Sequence, residues 1–356
     1  MLKRLAAATL AALATAGAFA GNSIVTASER GTYIEIGRDL SRLVAQPAGI
    51  ALDVLPSAGS AENVRRLRSE PGVRLALMQS DVYRAFLDQA RAGDAEADRL
   101  VKPLRVVLPL YDEEIYFVVR ADSPLQHLDD IRDKRINVGP VGSGSALTAT
   151  TVYRTMFDAP PPDGNLSFLS NEEALVKLTT DKSIDVVVVV AGQPARLFSG
   201  MTAQARNFVK LLSVDPAAPS TQALHAVYSD ATVHAASYAN WLSQDVPSIA
   251  VKSVLATYDY QSPAVRDTLV RFAHSMCTNF SRLKADGHAK WNEVELAQPA
   301  LTKGWTYYAP TQRVLSHCND PAPAPVAGAT AAAAPAPSAD CTQNRALLGL
   351  CRPAKP

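Results

Sequence analysis

The chain has 356 residues, 47% of them hydrophobic, which is enough apolar material for a sizeable core and too much for a disordered chain. Its 35 lysines and arginines nearly cancel 34 acidic residues, and the net charge of +1 excludes a general attraction to nucleic acid or anionic membrane. Four cysteines form no C-x-x-C and share no zinc-like spacing with a histidine, so no metal and no cofactor are expected.

MLKR opens the chain, followed by an uncharged, alanine-rich run that ends at Ala18-Phe19-Ala20, an A-x-A site. This predicts a secretory signal peptide over residues 1–20, removed after Ala20, and a periplasmic mature chain. The run is about 16 residues, short of the roughly 20 that a membrane span needs. From there strand-like and helix-like segments alternate. SIVTAS, IALDVLP and VRLALMQ predict strands; IGRDLSRLV, ENVRRLRS and DVYRAFLDQARA predict helices; PLRVVLPL and EIYFVVRA predict two more strands. RINVGP, LSFLS, IDVVVVVAG and FVKLLSVD then alternate with ALTATTVYRTMF, NEEALVKLTTDK and QPARLFSGM. VPSIAVKSVLATYDY follows, and the longest helix begins at Ser262 with Pro263 in its first turn.

Such alternation predicts an α/β protein, with a mostly parallel sheet flanked by helices in each of two units. A folded part of this length exceeds one ordinary core, so two lobes are expected. They are assigned to residues 21–121 plus 236–318 and to residues 122–235. The stretch 319–356 is rich in proline and alanine and is expected to be a disordered tail. An oxidising compartment favours the pairs Cys277–Cys318 and Cys341–Cys351, although four cysteines allow three pairings.

Five strand-to-helix turns are small and polar: Glu29 to Tyr33, Ser57 to Ser60, Gln79 to Asp81, Gly142 to Ser145, and Gly192 to Pro194. Each lies at the carboxyl end of a strand, where open α/β sheets bind ligands. Each also ends at a helix N-terminus, with free N–H groups and a partial positive charge. A serine there commonly does no more than cap its helix. Five together point to a cleft that holds an anion. The glycine-rich turn is not a nucleotide loop. Ser145-Ala146 follows Gly144 where a P-loop needs lysine, and G-P-V-G-S-G breaks the dinucleotide order. No G-x-S-x-G or H-E-x-x-H occurs, and the histidines are scattered. Glu113 and Glu114 are strand neighbours that face opposite sides, so they cannot form a carboxylate dyad, and one of them is expected to face the cleft.

GTYIEIGRDLSRLV, PSAGSAENVRRL, LALMQSDV, LYDEEIYFVVRADS, INVGPVGSGSALTA and SIDVVVVVAGQP occur in one order over about 170 residues. The set resembles the TAXI family of solute-binding proteins, which serve TRAP (tripartite ATP-independent periplasmic) transporters. The resemblance implies a two-lobed periplasmic binding fold of the second type with two crossover strands. It also implies a monomer that delivers a carboxylate-bearing solute, such as glutamate or a dicarboxylate, to an ion-driven permease. Carried over by position, Gly31, Thr32, Tyr33, Ser57, Gly59, Ser60, Gln79, Ser80 and Asp81 would line one wall. Ser143, Gly144 and Ser145 would hold the carboxylate, with Ala191 and Gly192 beside them; Tyr111 and Glu113 match a family Tyr-x-Glu. Ser28-Glu29-Arg30 departs from the family's glycine-rich stretch, and Arg30 is expected either to pair a second carboxylate or to pair Glu29. The rival readings are a ligand sensor and, with no nucleophile–base motif to support it, a secreted hydrolase.

Overall fold

Apolar runs separated by amphipathic stretches fold here as a computed structural model describes for residues 21–318, Thr302 excepted; the predicted signal peptide, the tail and the pair Cys341–Cys351 lie outside the described residues. The first strands are β1 (Asn22–Val25), β2 (Leu52–Leu55) and β3 (Val73–Gln79), with helices α1 (Thr32–Asp39), α2 (Ser60–Ser69), α3 (Ser80–Arg91) and α4 (Ala95–Val101). Next come β4 (Leu104–Arg120), β5 (Ile136–Asn137), α5 (Gly144–Phe157), β6 (Leu166–Ser167), α6 (Asn171–Thr179), β7 (Val186–Ala191), α7 (Arg196–Ser199) and β8 (Val209–Leu211). The chain continues through α8 (Pro219–Leu224), β9 (Ser229–Val233), β10 (Val246–Tyr258), α9 (Pro263–Asp286) and α10 (Ala309–Leu315).

The strands are hydrogen-bonded in the order β2-β1-β3-β10-β4-β7-β5-β6. β1 runs parallel to β2 and β3, and β5 runs parallel to β6 and β7. β4 and β10 are antiparallel to their neighbours and join the two parallel halves. This is the two-lobed periplasmic binding protein architecture with two crossover strands. β4 has 17 residues. At about 3.3 Å per residue that is far longer than one lobe needs, so a single strand serves both. The sequence reads this segment as two strands because Pro109 and the run Asp112-Glu113-Glu114 interrupt its apolar pattern. Pro109 has no N–H to donate, and the pairing with β10 shifts register beside it, between Lys252 and Val254.

Two other expectations are corrected. The helix predicted over QPARLFSGM shrinks to Arg196–Ser199, because Ala195 just before it is extended. The helix predicted from Ile36 onward is α1 followed by a looser turn over Leu40–Ala45. Helices cover both faces of the sheet. One apolar layer contains Ile36, Leu40, Leu77, Phe272, Met276 and Trp291, so α9 packs on the same face as α1. Among the described residues no helix is long and apolar enough to cross a membrane.

A disulfide joins Cys277 of α9 to Cys318, just past α10, with Cα atoms 5.1 Å apart and a sequence separation of 41. Closing a loop of that length restricts the unfolded chain and stabilises the folded one by about 2–4 kcal/mol. Urea unfolding with and without a phosphine reductant should show a loss of that size. An unchanged midpoint would mean that the bond adds nothing to the fold.

Candidate functional site

The two parallel halves bring the carboxyl ends of their strands to one crevice, and the helices that follow start there. The N-termini of α1, α2, α5 and α6 enclose a cavity of about 130 Å³. Of the sequence-predicted residues, Arg30, Gly31, Thr32, Tyr33, Gly59, Ser60 and Gln79 line it from the first half. Ser143, Gly144, Ser145 and Ala191 line it from the second half, and Glu113 from the crossover strand.

At the start of α5, the Ser143 side chain accepts the Ala146 N–H at 3.1 Å. The N–H groups of Gly144 and Ser145 lie in the first turn, where the helix itself supplies no acceptor. Gly144 has to be small. A Cβ there would overlap the Gln79 side-chain amide and stand 2.8 Å from Ser60 Oγ. The two halves meet tightly beside it. Gly59 has φ 129°, and a Cβ on it would come 3.2 Å from Ser143 Cα. The Glu62 N–H donates to Gly142 O at 3.0 Å, and Thr32 Oγ1 donates to Gly192 O at 2.9 Å.

The structure places five of the predicted residues off the wall. Ser57 is spent on its own turn, donating to Asn63 Oδ1 at 2.6 Å and accepting the Gly59 N–H at 3.0 Å. Ser80 begins α3, one residue past Gln79. Asp81 is buried between elements: Oδ2 accepts Thr148 Oγ1 of α5 at 2.6 Å and the Tyr228 hydroxyl at 3.0 Å. It pins α3 to α5. Burial raises its pKa against the lowering effect of those hydrogen bonds. Tyr111 is buried behind Gly192, where an added Cβ would sit 2.8 Å from its ring, and Lys290 Nζ lies 5.9 Å from the ring centroid. Gly192 presents its carbonyl to Thr32 and not to the cavity.

Glu113 and Glu114 do face opposite ways. Both are buried where β4 changes partners; Glu114 is opposite Ala250 of β10 on one side and Ala191 of β7 on the other. Glu113 looks into the cavity and accepts the Tyr33 hydroxyl at 2.7 Å. Burial pushes its carboxyl up to about 8, against hydrogen bonds from Tyr33 and Gln79 that favour the ionised form. Burial, with Glu113 alongside, raises the Tyr33 phenol well above its ordinary value, so it remains a donor. Glu114 faces away. Its carboxylate takes Lys290 Nζ at 2.6 Å and the Gln193 backbone and side-chain N–H groups, both at 2.9 Å.

A family model for the NMT1-like family matches residues 24–304, a span that contains every wall of the cavity from Ala27 to Leu197. The chain belongs to the NMT1-like family. Its architecture is also similar to three solved structures. A Candida albicans protein, the CA3427 gene product, described as having the generic periplasmic binding protein fold, is 11% identical over 77% of this chain and 81% of its own, with a TM-score of 0.46. ArtJ of Geobacillus stearothermophilus, an arginine-, lysine- and histidine-binding protein, is 11% identical over 79% of this chain and 97% of its own, with a TM-score of 0.44. A TctC solute-binding protein from Polaromonas is 14% identical over 76% and 85%, with a TM-score of 0.40.

In this NMT1-like chain the sequence reading missed one wall. Ser170, Asn171 and Glu172, at the start of α6, line the cavity, as do Ser28, Ala58, Pro140, Val189 and Leu197. Ser170 caps α6 by accepting the Glu173 N–H at 3.3 Å. The signal was present in Ser170-x-x-Glu173, a capping-box pattern that starts on the last residue of the LSFLS run. Arg30 stands 3.8 Å from Glu172 at the cleft mouth, both side chains exposed, and Glu29 is not its ion-pair partner.

Among the described residues no histidine lines the cavity, and no three His, Cys, Asp or Glu residues are grouped to hold a metal. The NMT1-like cleft therefore offers helix N-termini, hydroxyls and one buried carboxyl group: hydrogen-bonding chemistry for a small polar solute. Replacing Gly144 by valine would fill that space. The groups it strikes are side-chain ends that can swing aside, so the fold should survive while solute affinity drops by about 100-fold or more. Circular dichroism and calorimetry on the same sample check this; full-strength binding by Gly144→Val would place the ligand elsewhere.

Proposed function

We propose that the protein captures a small carboxylate-bearing solute, an amino acid such as glutamate or a dicarboxylate, outside the cytoplasm. It closes on the solute and delivers it to a TRAP-type permease. The observation that carries this reading is the start of α5: the first-turn N–H groups of Gly144 and Ser145 and the hydroxyls of Ser143 and Ser145 stand at a cavity with no buried lysine or arginine in its lining. Family membership and the binding-protein architecture support binding in place of catalysis. The leader predicted over residues 1–20 and the six ordered segments that resemble the TAXI family support an exported location and the permease.

Closure takes place between a lobe of residues 21–121 plus 236–318 and a lobe of residues 122–235. A solute held by both lobes favours the closed form, since its contacts are complete only there. The Thr32–Gly192 and Glu62–Gly142 hydrogen bonds span those lobes. A thermal-shift screen of amino acids, dicarboxylates, oxoacids, sugars and divalent metals tests the reading. A carboxylate should raise the melting temperature; a shift with sugars or metals alone would refute it.

A further inference from the structure

We propose that Glu113 selects the solute as the counter-ion of a protonated nitrogen, so that the cleft prefers amino acids to oxoacids and dicarboxylates of the same shape. This rests on the carboxylate reading above and adds to it: one end of the solute lies at the start of α5, and an ammonium lies on the floor at β4.

The cavity wall is short of donors on one side. Glu113 is 3% exposed and its carboxyl group faces the cavity. Gln79 is equally buried, and its Oε1 has no hydrogen-bond partner. Asn171 Oδ1, from the opposite half, is also buried without a partner. All three line the same cavity. Unpaired buried acceptors are costly, and a ligand ammonium brings up to three N–H donors to this wall. A keto oxygen or second carboxylate brings only further acceptors.

The charge balance agrees. Around Glu113 stand the Tyr33 hydroxyl from α1, the Gln79 amide at the end of β3, Asp81 at the start of α3, and Tyr111 and Glu114 on its own strand; Val251 of β10 is opposite. None of them is a cation. The nearest buried cation, Lys290, is taken by Glu114 and Glu293 on the far side of the strand. Arg30 is exposed at the mouth and paired with Glu172. A dicarboxylate would thus bring its second charge to a wall without a cation and against a carboxyl group that has to stay protonated, whereas an ammonium pairs with the ionised Glu113. Unliganded, Glu113 is protonated at neutral pH, because burial holds it near 8. Binding an ammonium ionises it and releases one proton, so affinity rises with pH and levels off above about 8.

Isothermal calorimetry of the full exported chain with matched pairs tests this: alanine and pyruvate, aspartate and oxaloacetate, glutamate and 2-oxoglutarate, leucine and 4-methyl-2-oxopentanoate. The members of each pair differ only in ammonium against oxo group. In the pair that fits, the amino acid should bind about 100-fold more tightly or better. Its affinity should fall about tenfold per pH unit below 8, with proton release seen in buffers of different ionisation enthalpy. Glu113→Gln should erase both the preference and the pH dependence. Tyr33→Phe, which keeps the charge, should retain the preference for the amino acid, so the proposal stays testable if Glu113→Gln folds poorly. An oxoacid that binds as well as its amino acid, or affinity that falls as pH rises through 8, would overturn the proposal and leave the carboxylate reading intact. No binding by either member of any pair at millimolar concentration would overturn both.

Discussion

Glu113→Gln makes the unliganded protein more stable at pH 9, by about 3–5 kcal/mol, and far less so at pH 5. Glu113 has an ordinary carboxyl pKa near 4.5 in the unfolded chain and is held up to about 8 in the folded one. A carboxyl group with a raised folded pKa stabilises the fold most when it is protonated in both states. That stability is fully present below pH 4.5 and is lost as pH rises through about 8. A shift of this size corresponds to several kcal/mol, an upper bound that water in the cleft reduces. Glutamine mimics the protonated acid: its oxygen still accepts from Tyr33 and it has no charge to desolvate. Urea unfolding at both pH values measures the gain. If the variant is no more stable than the parent at pH 9, Glu113 is not a strained carboxyl group held for a ligand. A gain would mark a residue kept at the expense of stability, as binding sites often do.

Lys290→Met should destabilise the protein by about 3–5 kcal/mol although the side-chain volume is nearly conserved. Lys290 is 1% exposed. Its ammonium donates to Glu114 at 2.6 Å and to both oxygens of Glu293 at 2.8 and 2.9 Å. Methionine leaves Glu114 buried without a counter-ion. Burial already raises the Glu114 pKa, and Lys290 is the main group opposing that rise. The variant should therefore lose further stability as pH rises, because its carboxyl group must ionise alone. The double change Glu114→Gln with Lys290→Met should recover most of the loss, since a buried ion pair replaced as a unit costs little. Losses that simply add would show that the two residues act independently. Because Glu114 and Glu113 are adjacent on β4, this pair also fixes the strand that presents Glu113.

What was legible in the sequence was local. Small polar turns between apolar strands and amphipathic helices mark where the helices begin, and the cavity wall at Gly31–Tyr33, Gly59–Ser60 and Ser143–Ser145 follows from them. Strand alternation separates Glu113 from Glu114 but does not say which one faces the cavity. That depends on β10 and β7 flanking β4. Long-range partners were hidden. Asp81 looks like a ligand residue until Thr148, 67 residues away, and Tyr228, 147 residues away, are seen to occupy it. Lys290 sits in a run, AKWNEVE, that reads as surface, and only its 176-residue reach to Glu114 explains its burial. Arg30 was read as pairing a ligand carboxylate or its neighbour Glu29, and the side chain it stands beside, Glu172, belongs to the wall that was overlooked.

The central claim is that the start of α5 holds a carboxylate inside the closed cleft. A crystal structure of the protein with a solute retained from its native source, or with the strongest hit of the thermal-shift screen, tests it most directly. A carboxylate oxygen within hydrogen-bond distance of the Gly144 and Ser145 N–H groups is the expected result. A solute bound in the cleft with an uncharged or cationic group at that position, or bound outside the cleft, would contradict it.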